Sequence, residues 1–213
     1  MSGARNLARD TRGHHPLSLR YTLRACDHRR MAVLIARSRR SMMKAFSLIG
    51  ECAEKSDLVR RLVVELTGRG LRVSTIKRVS DKVDLERNGS GTWKHRAAGA
   101  EEVMVASASR FALMREMPKG TDEPDVGSLL ARMAPVDIVL LDGFRRSGYP
   151  KMEVVQAGQA RVLYASNDPM VLAVTSDLPV TAPVPRLPLS EIGALGDFVM
   201  AHAVTACVDS FRQ

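Results

Sequence analysis

A strand, a tight loop and a helix are written into residues 44–69. Phe46, Leu48 and Ile49 supply a buried strand, and Gly50 ends it. Leu58, Val59, Leu62, Val63 and Leu66 then recur on one face of an amphipathic helix predicted from Ser56 to Arg69, closed by Gly70. A strand feeding directly into a helix is the opening unit of a parallel α/β sheet. The Lys55-Ser56 pair stands where the phosphate-binding motif G-x-x-x-x-G-K-[ST] places its last two residues. The glycine before the lysine is replaced by Glu54, and three residues, 51–53, separate it from Gly50.

These departures carry a physical expectation. A P-loop cradles phosphate with successive backbone N–H groups at a helix N-terminus, where the dipole also favours negative charge. A loop one residue shorter wraps phosphate less completely, and Glu51 and Glu54 add carboxylates where phosphate charge would sit. The loop therefore reads as a P-loop descendant with impaired phosphate binding. Taken alone, an ordinary strand-turn-helix is the better account of it, and the rest of the chain shifts the balance.

The second constraint is Val136-Asp137-Ile138-Val139-Leu140-Leu141-Asp142-Gly143. A hydrophobic run ending in an acid is the pattern of a fully buried parallel strand carrying a Walker B carboxylate. In that reading Asp142 and the Ser56 hydroxyl supply oxygen ligands to Mg²⁺. The bland alternative is a strand-end aspartate bonded to its own turn.

Charge is unevenly placed. The net charge is +9, but residues 1–42 hold ten arginines, no lysine and only Asp10 and Asp27, so that segment carries +8 and residues 43–213 carry +1. Three readings stand for 1–42: a basic arm, a transit peptide, or a dispensable extension before a domain at 43–213. The third is favoured, because periodicity begins at Met43 and Tyr21 is the only aromatic in the segment. Nucleic acid is therefore not an expected partner. No apolar run is long enough to span a bilayer. Cys26, Cys52 and Cys207 are three and widely spaced, which suggests neither a disulfide framework nor a zinc site and fits a reducing, cytoplasmic setting. Cys52, near a helix start, reads as a passive loop thiol, although that position can lower a thiol pKa. His14-His15 lacks partner ligands at metal-motif spacing.

Further strands are predicted over 71–77, 102–107, 110–114, 151–155, 161–165 and 171–175. Helices are predicted over 92–98, 125–133 and 190–207, with Thr92, Asp125 and Ser190 as caps. Lys151 and Glu153 alternate on a strand, and a surface salt bridge is the plain expectation. Trp93 is assigned to packing rather than to stacking on a base. The alternation of strands and helices gives an α/β fold with a largely parallel sheet.

With these pieces in order, the chain from about Met43 to Val199 resembles the molybdopterin-guanine dinucleotide biosynthesis protein B family. The resemblance rests on the loop with Lys55-Ser56, on 70–77, on His95-Arg96-Ala97-Ala98-Gly99-Ala100, on 136–144, on 150–154 and on Asn167-Asp168-Pro169. It implies a P-loop NTPase-like three-layer domain, GTP and Mg²⁺ as cofactors, and a homodimer. It also implies an accessory role beside the guanylyltransferase that attaches GMP to molybdopterin. By resemblance, Gly50, Lys55 and Ser56 belong to the phosphate loop, and Ser56 and Asp142 to the metal. Arg96 is a candidate for the phosphates, weighed evenly against a helix-surface role. No catalytic residue is assigned, and hydrolysis by the chain alone is expected at a trace rate at most. The alternatives are an active nucleotide-dependent enzyme with an altered loop and a nucleotide-free interaction module.

Overall fold

The computed structural model describes residues 43–80, 83, 85–117, 124–156 and 162–206. The basic segment 1–42 and the centres of two predicted loops lie outside the described residues. The elements are β1 (Lys44–Ile49), α1 (Ala53–Gly68), β2 (Val73–Lys77), α2 (Gly91–Ala97), β3 (Glu102–Ala106), β4 (Phe111–Arg115), α3 (Val126–Leu130), β5 (Ile138–Asp142), β6 (Lys151–Val154), a 3-10 turn at Tyr164–Ser166, β7 (Val171–Thr175), β8 (Arg186–Leu187), α4 (Ile192–His202) and β9 (Val204–Thr205).

Seven strands form one sheet in the order β2-β5-β1-β6-β7-β8, and β9 pairs beside β1. All its pairings are parallel except that of β9 with β1. Parallel neighbours need crossovers, and the apolar stripe of α1 supplies the first. Leu58, Leu62 and Leu66 are fully buried against Phe46, Leu48, Ile138 and Leu140, with Leu195 and Val199 of α4 in the same cluster. The alternate residues of the same strands, Ala45, Val139 and Leu141, meet Val126 and Leu130 of α3 in a separate cluster. Two cores on opposite faces of one sheet make a three-layer α/β domain, as the strand pattern predicts.

β3 and β4 stand apart as a two-stranded antiparallel ribbon. Several predicted boundaries shift. Helix α1 begins three residues earlier than expected, with Cys52 at its N-cap. Ser90, not Thr92, caps α2 by accepting from the Trp93 N–H at 3.1 Å, while Asp125 caps α3 through the Ser128 N–H as expected. The strand expected over 161–165 is instead a loop entering the 3-10 turn, in the residues described. The last helix ends at His202, because the chain must turn back to lay β9 along β1.

Candidate functional site

In a parallel sheet every strand points its C-terminal end to the same edge, and ligands of such folds sit there. Here β1 ends at Ile49, β5 at Asp142 and β2 at Lys77. Leu48 and Lys77 are the lateral partners of Asp142 on its two sides. A cavity of about 360 Å³ opens at this edge, lined by Ile49, Gly50, Glu51, Lys55, Arg78, Gly143, Arg145, Arg146 and Tyr164. Four of the nine are cationic, and the volume suits a small polar ligand.

The loop is pinned where the strand ends. Gly50 has φ +141°, and a Cβ there would lie 2.5 Å from the Val154 carbonyl oxygen of β6. No other residue type fits that backbone and that gap. Two residues on, the Cys52 thiol donates to the same carbonyl at 3.8 Å. Burial pushes the Cys52 thiol above its ordinary value; the Lys55 N–H pulls the other way and Glu54 adds to the rise. The thiol is therefore a packing group, not an activated nucleophile.

Behind the loop lies a charge knot. The Lys55 ammonium donates to Asp142 Oδ1. The Lys77 ammonium donates to Asp142 Oδ2 at 2.7 Å and to Ser56 Oγ at 2.8 Å. Asp142 is buried, with its side chain 4% exposed. Burial raises its carboxyl, but the Lys55 and Lys77 ammoniums together outweigh burial and hold it below the ordinary carboxylate value. Gly143, at φ +93°, keeps this knot close, since a Cβ there would lie 3.3 Å from Lys55 Nζ.

The two loop glutamates behave differently from expectation. Glu51 lines the cavity, but its carboxylate accepts from the Tyr164 hydroxyl. The Arg145 guanidinium lies 4.8 Å from the centre of the same tyrosine ring. Glu54 does not line the cavity. The repulsion expected from two carboxylates is thus reduced to one, and that one is held by a hydroxyl.

Of the residues singled out in the sequence, Gly50, Lys55, Ser56 and Asp142 converge at this edge. Arg96 does not join them. It pairs with Glu86 and Glu116, each at 2.5 Å, and lines a separate cavity of about 820 Å³ beside the β3–β4 ribbon. Lys151 and Glu153 are not a surface pair. Both are buried, because β6 lies between β1 and β7 with packing on both faces. Lys151 Nζ donates to the Ser147 carbonyl at 2.6 Å and lies 3.3 Å from Asp168, while Glu153 accepts from the Ala165 N–H. Sequence reasoning missed Lys77, Arg78, Arg145, Arg146 and Tyr164. The available signal was position: each lies at or just beyond the end of a strand, or on the loop that follows one.

Among the described residues no cluster of three or more His, Cys, Asp or Glu could hold a metal ion. Nor is any helix there long and apolar enough to cross a membrane.

Residues 46–177 match the family described as molybdopterin guanine dinucleotide synthesis protein B. The molybdopterin-guanine dinucleotide biosynthesis adapter protein of Escherichia coli K12 is 33% identical over 149 residues, which are 68% of this chain and 85% of that protein. The adapter protein of the same name from Haemophilus influenzae is 29% identical over 145 residues, 68% of this chain and 80% of its own. The backbone is similar to a crystal structure of molybdopterin-guanine biosynthesis protein B, with a TM-score of 0.56 and 23% identity over 74% of this chain and 98% of that one. It is also similar to a MobB homologue from Bacillus stearothermophilus, with a TM-score of 0.54 and 21% identity over 74% and 95% of the two chains. The fold is accordingly the P-loop NTPase-like α/β fold, and the chain belongs to the molybdopterin guanine dinucleotide synthesis protein B family.

Proposed function

We propose that this chain is an adapter in molybdenum-cofactor maturation, assisting a guanylyltransferase as it joins GMP to molybdopterin. The observation that carries the reading is the cationic cavity at the C-terminal edge of the sheet, in a chain of this family. Arg78, Arg145 and Arg146 line one space beside the N-terminus of a sixteen-residue helix, together with Lys55, whose ammonium is paired with Asp142. That chemistry suits the polyphosphate of GTP or the phosphate of a pterin. The shortened loop offers fewer converging N–H groups than a complete P-loop, so binding is weaker than in a full cradle. Glu51, tied to Tyr164, is not disposed to orient an attacking water, and hydrolysis stays at a trace rate at most.

The Mg²⁺ that the family resemblance implies does not fit the site as folded. Both oxygen groups expected to hold it are already hydrogen-bonded to the Lys77 ammonium. No step here is routed through metal.

The ribbon favours a homodimer. Phe111 is 72% exposed, and Met104, Val105 and Leu113 are exposed as well. Met104 pairs with Leu113 and Phe111 with Ala106 in the ribbon's register, so three large apolar side chains share one face of the hairpin, with Val105 on the other, and point to a covered face in the working assembly.

The test is twofold. The guanylyltransferase is assayed for dinucleotide formation with and without this chain, and GTP is titrated into the chain by calorimetry. Stimulated dinucleotide formation with measurable GTP binding supports the reading. Stimulation without binding at millimolar GTP moves the chain to the nucleotide-free interaction module. Robust turnover of GTP that Lys55→Ala abolishes makes it an enzyme in its own right.

A further inference from the structure

We infer that the Lys77 ammonium replaces the divalent cation at this site, so that a polyphosphate ligand is held in the cavity without metal. The inference rests on the phosphate-binding reading above and goes beyond it by assigning the positive charge to a side chain.

The argument begins with register. β2 and β5 are parallel neighbours, and Lys77 stands directly opposite Asp142 at the last pair of the ladder. The Arg78 N–H closes that ladder on the Asp142 carbonyl at 2.9 Å. Backbone pairing therefore fixes where the Lys77 side chain starts. From there its ammonium reaches Asp142 Oδ2 at 2.7 Å and Ser56 Oγ at 2.8 Å. These are the acid at a strand end and the hydroxyl after the loop lysine, the two protein groups that hold Mg²⁺ in a P-loop site. One ammonium satisfies both.

Charge agrees with geometry. Asp142 is flanked by two cations, Lys55 on Oδ1 and Lys77 on Oδ2. Its carboxylate is already neutralised, and a dication entering there would face two ammoniums within a few ångströms. Mg²⁺ also demands near-octahedral oxygen ligands at about 2.0–2.1 Å, and the Lys77 ammonium stands between the two oxygens available. An ammonium has three donors. Two serve Ser56 and Asp142, which leaves the third for a phosphate oxygen. Lys77 is half-exposed, and its chain neighbour Arg78 lines the cavity.

Two measurements on the full chain test this. The first uses no nucleotide. Manganese(II) chloride is titrated into isotope-labelled protein, and paramagnetic broadening of the Ser56 and Gly143 amides is read. The wild type is expected to show no site-specific broadening at millimolar manganese. Lys77→Met, which keeps the aliphatic stem and removes the charge, is expected to show it, and Asp142→Ala in that background to lose it. Specific broadening in the wild type overturns the inference, even if no variant folds. So does a folded Lys77→Met that remains unbroadened.

The second measurement titrates GTP in EDTA and in magnesium. Wild-type affinity is expected to change by less than twofold between the two. Lys77→Met is expected to lose at least tenfold in EDTA and to regain affinity with magnesium. A wild type that binds tenfold tighter with magnesium overturns the inference. If the wild type binds no GTP under either condition, the phosphate-binding reading fails, while the manganese experiment still decides what occupies the position beside Asp142.

Discussion

The two sheets of this protein treat their apolar residues in opposite ways. In β5 all five residues are buried, and the strand ends on a carboxylate whose two oxygens are both bonded to lysines. In the β3–β4 ribbon only Val103 is buried, and Phe111, Met104, Val105 and Leu113 face outward. β5 is complete within one chain: its apolar area is covered by helices on both faces and its charge is matched. The ribbon keeps its ladder hydrogen bonds but leaves its side chains uncovered. Apolar burial is therefore concentrated in the main sheet, and the ribbon's sequence answers to something other than the fold of a single chain.

Substitutions can sharpen or break this contrast. The largest effect is expected from Gly50→Ala. The new Cβ would sit 2.5 Å from the Val154 carbonyl oxygen in a positive-φ backbone, and strain plus overpacking costs about 4 kcal/mol. The thermal midpoint should fall by at least about 8 °C for a domain of this size. A fall of under about 2 °C would show that the loop is not pinned on β6.

Asp142→Asn comes next. It leaves two ammoniums around a neutral amide, one of them mostly buried, and breaking such a buried pair costs about 3 kcal/mol. The sign with pH follows from the depressed carboxyl. Its stabilisation is full above the ordinary carboxylate pKa of about 3.9 and is lost as pH falls below it. Unfolding scans at pH 7 and pH 3 should therefore show a wide gap between wild type and variant at neutrality and a narrow one in acid. A gap that does not depend on pH would mean the pairing contributes nothing through charge.

Lys151→Met is expected to cost about 2 kcal/mol. It keeps the volume but strands the Ser147 carbonyl and Asp168. A chemical denaturation curve with unchanged slope and a lower midpoint is the expected readout. A neutral result would place Lys151 among buried charges that apolar residues replace freely.

The smallest effect on stability, under about 0.5 kcal/mol, is expected for Phe111→Asp, since the ring has little of the folded chain to lose. Its effect should appear instead in light scattering, as a shift from dimer to monomer. Loss of the monomer fold would erase the contrast between the two sheets. An unchanged mass would remove the ribbon from the dimer interface.

These cases also show what was legible in the chain. Helix α1 and strand β5 could be read because their periodicity is local: Leu58, Leu62 and Leu66 recur at helical spacing, and residues 138–141 are uninterrupted apolar. Asp142 could be read because it closes that run, paired in sequence with Lys55-Ser56. The bond from Lys77 to Asp142 could not, since it depends on the register of two strands 65 residues apart. Lys151 and Glu153 misled for a related reason. Alternating charges on a strand suggest a wet face, but β6 is an inner strand, and strand order is not written in local spacing. Arg96 drew attention by its charge, and Glu86 and Glu116 claim it only after the ribbon folds back beside α2.

The position of β1 has a consequence for how the chain is made. Its partners are residues 138–142, 151–153 and 204–205, so the central strand of the sheet waits for segments synthesised long after it. At about 5–20 residues per second, the stretch from Ile49 to Ile138 takes roughly 5 to 20 s to emerge. For that interval Phe46, Leu48 and Ile49 have only α1 to cover them, and an unpaired apolar strand is a template for aggregation. Chains stalled on the ribosome before residue 138 should be captured by holdase chaperones, and chains released from the ribosome should no longer be. The last pairing, Lys44 with Thr205, spans 161 residues and cannot form before residue 205 has emerged.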